Sequence, residues 1–126
     1  MTDTQIAPKF TADLWAAFWA APDPSRIAAL LAEDIVGHWP GDPKPVRGRA
    51  DYLAKIDGIV GAMPDLKLTL VDSATVPGAA DGEELIFLHY TGTAADGAIT
   101  VRGMDRLRTR AGIVVENVIR FDFSEL

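Results

Sequence analysis

The sequence predicts an α+β fold in which three helices pack on one face of a curved antiparallel sheet, within a single domain covering residues 1–126. Three observations carry this. Apolar residues recur at helical spacing in the first half of the chain, and four strand-like runs separated by turn residues fill the second half. The third is size: 126 residues, 48% hydrophobic and 24% charged, suit one compact unit with a real core.

The first helix is expected in "FTADLWAAFWAA", where Phe10, Leu14, Trp15, Phe18 and Trp19 fall on one face. "PDP" ends it. Asp23 as N-cap and Pro24 at the first helical position then start a second helix, which turns Ile27, Leu30 and Leu31 inward and ends near Asp34. "IVGHW" reads as a short strand and "PGDPKPVRG" as a turn-rich loop. A third helix follows from about Ala50 to Ala62, with Tyr52 or Leu53, Ile56, Val60 and Met63 along one side and Pro64 at its end. Beyond it the strands are "LKLTLVDSATV", "LIFLHYTGT", "ITVRGMDRLRT" and "GIVVENVIRFDF", joined by "PGAADGEE", the hairpin turn "AADGA" and the short turn "RAG". Helices first and antiparallel strands after is the α+β order.

Composition narrows the function classes. Twelve Lys and Arg against 18 Asp and Glu give a formal net charge of −6, which repels phosphate backbones and anionic membrane surfaces, so no nucleic acid or membrane partner is expected. Without cysteine there is no disulfide, thiolate metal site or cysteine nucleophile. "MTDTQIAPKF" lacks the basic and apolar regions of a signal peptide and no later run has the length to span a bilayer, so a cytoplasmic protein is expected. No phosphate loop, serine elbow or dinucleotide fingerprint is present, so no cofactor is expected.

Candidate chemistry centres on "VRGMDRLRTR". Alternation places Val101, Gly103, Asp105 and Leu107 on one strand face and Arg102, Met104, Arg106 and Arg108 on the other. Asp105 thus sits on the more apolar face, where the helices should cover the sheet. A buried carboxylate is paired, protonated or in a polar cavity, so it is either a structural ion-pair member or a functional acid. The two histidines, His38 and His89, are the other titratable candidates near neutrality. If Asp96-Gly97 forms a two-residue turn, His89 falls opposite Met104 and away from Asp105. If Ala95-Asp96-Gly97 forms a three-residue loop, it falls opposite Gly103, diagonal to Asp105. No HxH or HExxH spacing is present, so no metal is expected.

The order of elements, with "LLAEDIVGHWPGD", "VRGRADYLAKI", "MPDLKL", "VRGMDRLR" and "GIVVENVIRFDF", resembles the nuclear transport factor 2-like superfamily, in its SnoaL-like polyketide cyclase and ketosteroid isomerase branch, over nearly the whole chain. The resemblance implies a cone-shaped sheet wrapped around the helices with a pocket at its open end, and a homodimer formed through the outer sheet face. It gives Asp105 the role of general acid/base, or of a protonated donor to an enolate, acting on a small hydrophobic carbonyl compound. In departure from the family's patterns, Trp15 stands where the steroid isomerase has its helix-one tyrosine, and that enzyme's base aspartate falls near His38 or Trp39. His89, Thr91 and Ile119 occupy the epoxide-hydrolase positions, and "ENVI" replaces the common "EHWD", so Asn117 stands for a histidine and Ile119 for an aspartate.

The expected catalytic set is therefore Asp105 with His38 and His89, and the expected substrate-binding set is Trp15, Trp19, Tyr52, Met63 and Asn117. Phe18 and Ile56 are better explained as core. A dimeric small-molecule binder or assembly module without catalysis is the competing reading. A third places an anionic substrate at Arg47 and Arg49.

Overall fold

The computed structural model describes the backbone of residues 9–124 and the side chains of 9–120; the N-terminal residues read above for a leader lie outside the described residues, as do 125–126. Its elements are α1 (Ala12–Ala20), β1 (Leu31–His38), β2 (Val46–Arg47), α2 (Arg49–Ala62), β3 (Lys67–Pro77), β4 (Glu83–Ala94), β5 (Ile99–Arg110) and β6 (Ile113–Ser124).

The first helix starts as its sequence directs: the Thr11 hydroxyl accepts the Leu14 N–H at 3.1 Å, and Asp13 lies in the first turn. The expected second helix is not there. Asp23 does cap, accepting from the Ser25 N–H, and Pro24 does follow, but the segment forms two 3₁₀ turns, Pro24–Arg26 and Ala28–Leu30. The physical reason is competition. Leu31 pairs with Val114 of β6, so β1 begins where the helix needed further turns, and strand pairing overrides local propensity. Ile27, Leu30 and Leu31 are nevertheless buried, as the pattern required.

The six strands form one sheet in the order β2-β1-β6-β5-β4-β3. It is mixed rather than wholly antiparallel, because β1 runs parallel to β6. The chain reaches β6 only after the long β3–β4–β5 meander, and β1 followed by the edge strand β2 extends the sheet beyond β6. The helices cover one face: α1 contacts β3 and β4, and α2 contacts β1 and β2. Gly37 admits this packing, since a Cβ there would collide with the Trp39 ring and press on Tyr52 at 3.0 Å. The core between layers includes Phe10, Phe18, Ile35, Tyr52, Ile56, Leu107 and Val114.

The β4–β5 hairpin closes through residues 95–98, with Ala95, Asp96 and Gly97 all at positive φ. Asp65, just before β3, holds this turn by accepting the Ala95 and Asp96 N–H groups at 2.9 and 2.6 Å. These backbone donors lower its carboxyl pKa. The loop has four residues, and its register is that of the two-residue alternative: His89 opposes Met104, Leu88 opposes Asp105 and Tyr90 opposes Gly103.

Candidate active site

Alternation along β5 turns Val101, Gly103, Asp105 and Leu107 toward the helices, where all four are buried. Asp105 ends up 6% exposed between Leu88 of β4 and Ile119 of β6. Its carboxylate accepts from three neutral donors. Tyr90 Oη lies 3.1 Å from Oδ1, while Trp15 Nε1 and Asn117 Nδ2 each lie 3.4 Å from Oδ2. Behind Asn117, the Tyr52 hydroxyl donates to the amide oxygen at 2.7 Å and so orients the amide nitrogen toward Asp105. Three elements thus converge on one carboxylate, α1 through Trp15, β4 through Tyr90 and β6 through Asn117, and α2 supports the last of these through Tyr52.

Burial pushes the Asp105 carboxyl up to about 6, against the opposing pull of the hydrogen bonds from Trp15, Tyr90 and Asn117. Desolvation, and then the Asp105 charge, push the Tyr52 and Tyr90 hydroxyls well above the ordinary tyrosine value, so both stay neutral donors. Glu83, the other buried carboxylate among the described residues, shows the opposite arrangement. Arg110 and Arg108 meet it at 2.8 and 3.0 Å, and the Arg110 hydrogen bond leads in lowering its pKa.

Asp105 forms part of the wall of a cavity of about 70 Å³. Trp15, Ala16 and Trp19 line it from α1, Tyr52, Ile56 and Ile59 from α2, with Met63 just beyond. Leu66, Leu68, Leu70, Leu88 and Val101 form the apolar sheet side, while Tyr90, Asp105, Asn117 and Ile119 surround the carboxylate and Trp39 follows β1. No Lys, Arg or His is among the lining residues. The volume is well below the roughly 300 Å³ of pockets that hold drug-sized ligands, so this conformation fits a small molecule.

The sequence-derived residues divide cleanly. Asp105, Trp15, Trp19, Tyr52, Met63 and Asn117 meet at the cavity. His38 and His89 do not. His89 shares the outer sheet face with Met104, and its Nδ1 lies 3.4 Å from Asp72 of β3. His38 alternates outward from buried Gly37 and Trp39 and meets Glu116 at 3.4 Å, in a cluster with Arg106 and Arg108. The reason in both cases is strand parity: each histidine is an odd number of positions from an inward residue on its own strand. Ile56 is both core and cavity wall, whereas Phe18 is core alone. Arg49 reaches Glu33 and the Leu31 carbonyl, and Arg47 lies at a separate surface groove, so neither belongs to this site. Among the described residues, no group of three or more His, Asp or Glu is arranged to hold a metal ion.

Tyr90 is the site residue that sequence reasoning missed. Its signal was the β4 alternation Ile86, Leu88, Tyr90, which places it diagonal to Asp105 once the register is known. Gly103 makes the contact possible: a Cβ there would lie 2.5 Å from the Tyr90 ring and hydroxyl.

Comparison with solved structures bears out the fold. The chain is similar to a candidate polyketide cyclase from Pseudomonas putida KT2440, at 15% identity and TM-score 0.66 over 87% of both chains. It is also similar to a steroid delta-isomerase from Pseudomonas aeruginosa, at 18% identity and TM-score 0.63 over 87% of this chain and 75% of that one. An NTF2-like protein of unknown function from Exiguobacterium sp. 255-15 matches at 21% identity and TM-score 0.66, over 90% and 98%. No curated protein matches the sequence. The SnoaL-like domain model matches residues 12–117, which span both helices, the first five strands and the start of β6 with Asn117. The chain belongs to the SnoaL-like domain family.

Proposed function

We propose that this protein binds a small hydrophobic carbonyl compound beside Asp105 and performs cyclase- or isomerase-type acid/base chemistry on it. One observation carries the reading: a buried carboxylate in an apolar cavity has only neutral partners and a pKa raised to about 6. Ion-paired structural carboxylates such as Glu83 behave oppositely.

At neutral pH most Asp105 carboxyls are ionised, and the carboxylate takes the proton from a carbon next to the substrate carbonyl. The C–H electron pair becomes the enolate π bond, and the carbonyl oxygen gains the charge. Tyr90 and Trp15, whose single donor hydrogens rest on the Asp105 carboxylate, turn to that oxygen as proton transfer neutralises Asp105 and moves the negative charge to the substrate. Asp105, now protonated, returns the proton at another carbon of the conjugated system, which completes an isomerisation; return at the same carbon regenerates the substrate and registers only as isotope exchange. In a cyclisation the enolate carbon instead attacks an internal electrophile, whose oxygen takes the proton from Asp105. Asn117 and Tyr52 act as positioning residues. The reaction uses no cofactor. The protein acts as a cytoplasmic homodimer, and the supporting feature is the outer sheet face, where Phe87 and Met104 are exposed.

Hydrogen–deuterium exchange at the α-carbon of small ketones in D₂O, followed by NMR, tests the chemistry. The wild type is expected to catalyse exchange, and Asp105→Asn to lower the rate by about a hundredfold or more. Equal rates for the two proteins overturn the catalytic reading. The binder reading has one observation in its favour: apart from Asp105, the titratable groups lining the cavity are two tyrosines held neutral. Saturable binding of the ketones with no exchange supports it.

A further inference from the structure

We propose that the Asp105 cavity is also a binding site for a protonated amine with a small apolar body, whose ammonium group rests against the carboxylate and the surrounding aromatic rings. This goes beyond the carbonyl reading, because the same carboxylate acts here as a fixed anion that holds a cation and moves no proton.

Three observations point to a cation. Among the described residues, five aromatic side chains, Trp15, Trp19, Trp39, Tyr52 and Tyr90, and one carboxylate, Asp105, line the cavity. Aromatic faces attract cations through their quadrupole, most strongly where water is excluded. Next, the ionised carboxylate has no protein countercharge at the site: its three donors are neutral, and two of them sit at the long distance of 3.4 Å. A carboxylate offers about four lone-pair sites, so at least one is open to a strong donor. Finally, the other buried carboxylate among the described residues is paired, with two arginines set on Glu83. At Asp105 the ligand supplies what the arginines supply there. A net charge of −6 adds a favourable field for cations and an unfavourable one for carboxylate or phosphate ligands. The size of the cavity, about 70 Å³, limits the apolar body to a short alkyl chain.

The titratable groups facing Asp105 are Tyr52 from α2 and Tyr90 from β4; α1 and β6 contribute Trp15 and Asn117, which do not titrate. Below neutrality, amine affinity therefore follows Asp105 alone. An amine that stays protonated needs the ionised carboxylate, so its affinity falls as pH drops through about 6. A ketone oxygen needs a donor, so its affinity rises over the same range.

The experiment is calorimetric titration of the full chain with n-propylamine and n-butylamine, against n-propanol and n-butanol as neutral isosteres. At about pH 8 the amines are expected to bind about tenfold or more tighter than the alcohols, with that affinity falling about tenfold per unit below pH 6. Asp105→Asn is expected to remove the preference, bringing amine and alcohol affinities together. Equal affinities of amine and alcohol, no binding of either, or a preference that survives in the Asn variant overturns the proposal. Should that variant not fold, the wild-type pH series decides alone, and an amine affinity flat between about pH 5 and 8 overturns it. The ketone exchange assay is read separately, so failure of one reading does not decide the other.

Discussion

Asp105 and Glu83 lie on neighbouring strands, both buried, and their pKa values move in opposite directions because only Glu83 has arginines beside it. The consequence for Asp105 is a stability that depends on pH. Its folded-state carboxyl titrates near 6 rather than near the ordinary 3.8, so between these values the folded chain binds more protons than the unfolded one. Stability is therefore expected to fall as pH rises from about 4 to about 6, by up to about 3 kcal/mol. Asp105→Asn removes the ionisation and keeps a group of the same shape. We expect the variant to be more stable than the wild type by about 1–2 kcal/mol near pH 7.5, with the gain vanishing near pH 4. Thermal unfolding at the two pH values checks this. A variant less stable at pH 7.5 contradicts it and makes Asp105 a structural partner. The candidate itself was legible in the sequence, because a lone aspartate on the apolar face of a strand stands out by alternation. Tyr90 was not, because a tyrosine on a buried face carries no mark of the neighbour it will meet.

The pairing of β4 with β5 is the element-scale device that builds the site. The hairpin turn, held by Asp65, sets a register in which Tyr90 opposes Gly103, and the missing side chain lets the ring lie across the strand to Asp105. Gly103→Ala places a methyl against that ring, with 2.5 Å where contact needs well over 3 Å. The expected result is a displaced Tyr90, a loss of about 1–3 kcal/mol from overpacking, and a further rise of the Asp105 pKa as one stabilising donor leaves the carboxylate. Carboxyl-detected NMR titration of the variant reads the last effect. An unchanged titration would show that the Tyr90 hydroxyl contributes nothing to the site. The same hairpin decided the fate of His89, whose face was ambiguous in sequence because two loop lengths gave opposite parities. The 3₁₀ turns are the second element-scale lesson. Cap and proline signals were obeyed at Asp23 and Pro24, yet pairing of Leu31 with β6 left room for two 3₁₀ turns in place of a helix.

At the scale of the molecule, the sheet has two faces with different work. The inner face carries the core and cavity, whereas the outer face presents an ionic cluster of Arg106, Arg108, Glu116 and His38 beside exposed Phe87 and Met104. The proposed homodimer joins two such faces by self-complementary contact. Met104 is 56% exposed and central on β5, so Met104→Asp is expected to weaken association by about tenfold or more while leaving the fold intact. Sedimentation velocity over a concentration series measures this, and a wild type that is monomeric throughout removes the dimer from the account.

By itself the sequence determined the helix-then-strand order, the inward faces of β3 and β5, and the inward stripes of α1 and α2 that carry Trp15, Trp19 and Ile56. Those properties are periodic and local, so spacing encodes them. Tertiary structure alone decided the length of the second helical segment, the parallel placement of β1 beside β6, the outward turn of both histidines, and the convergence of Trp15, Tyr90 and Asn117 on Asp105. Each of these depends on register between segments far apart in the chain, and a shift of one residue would have sent the side chain to the other face.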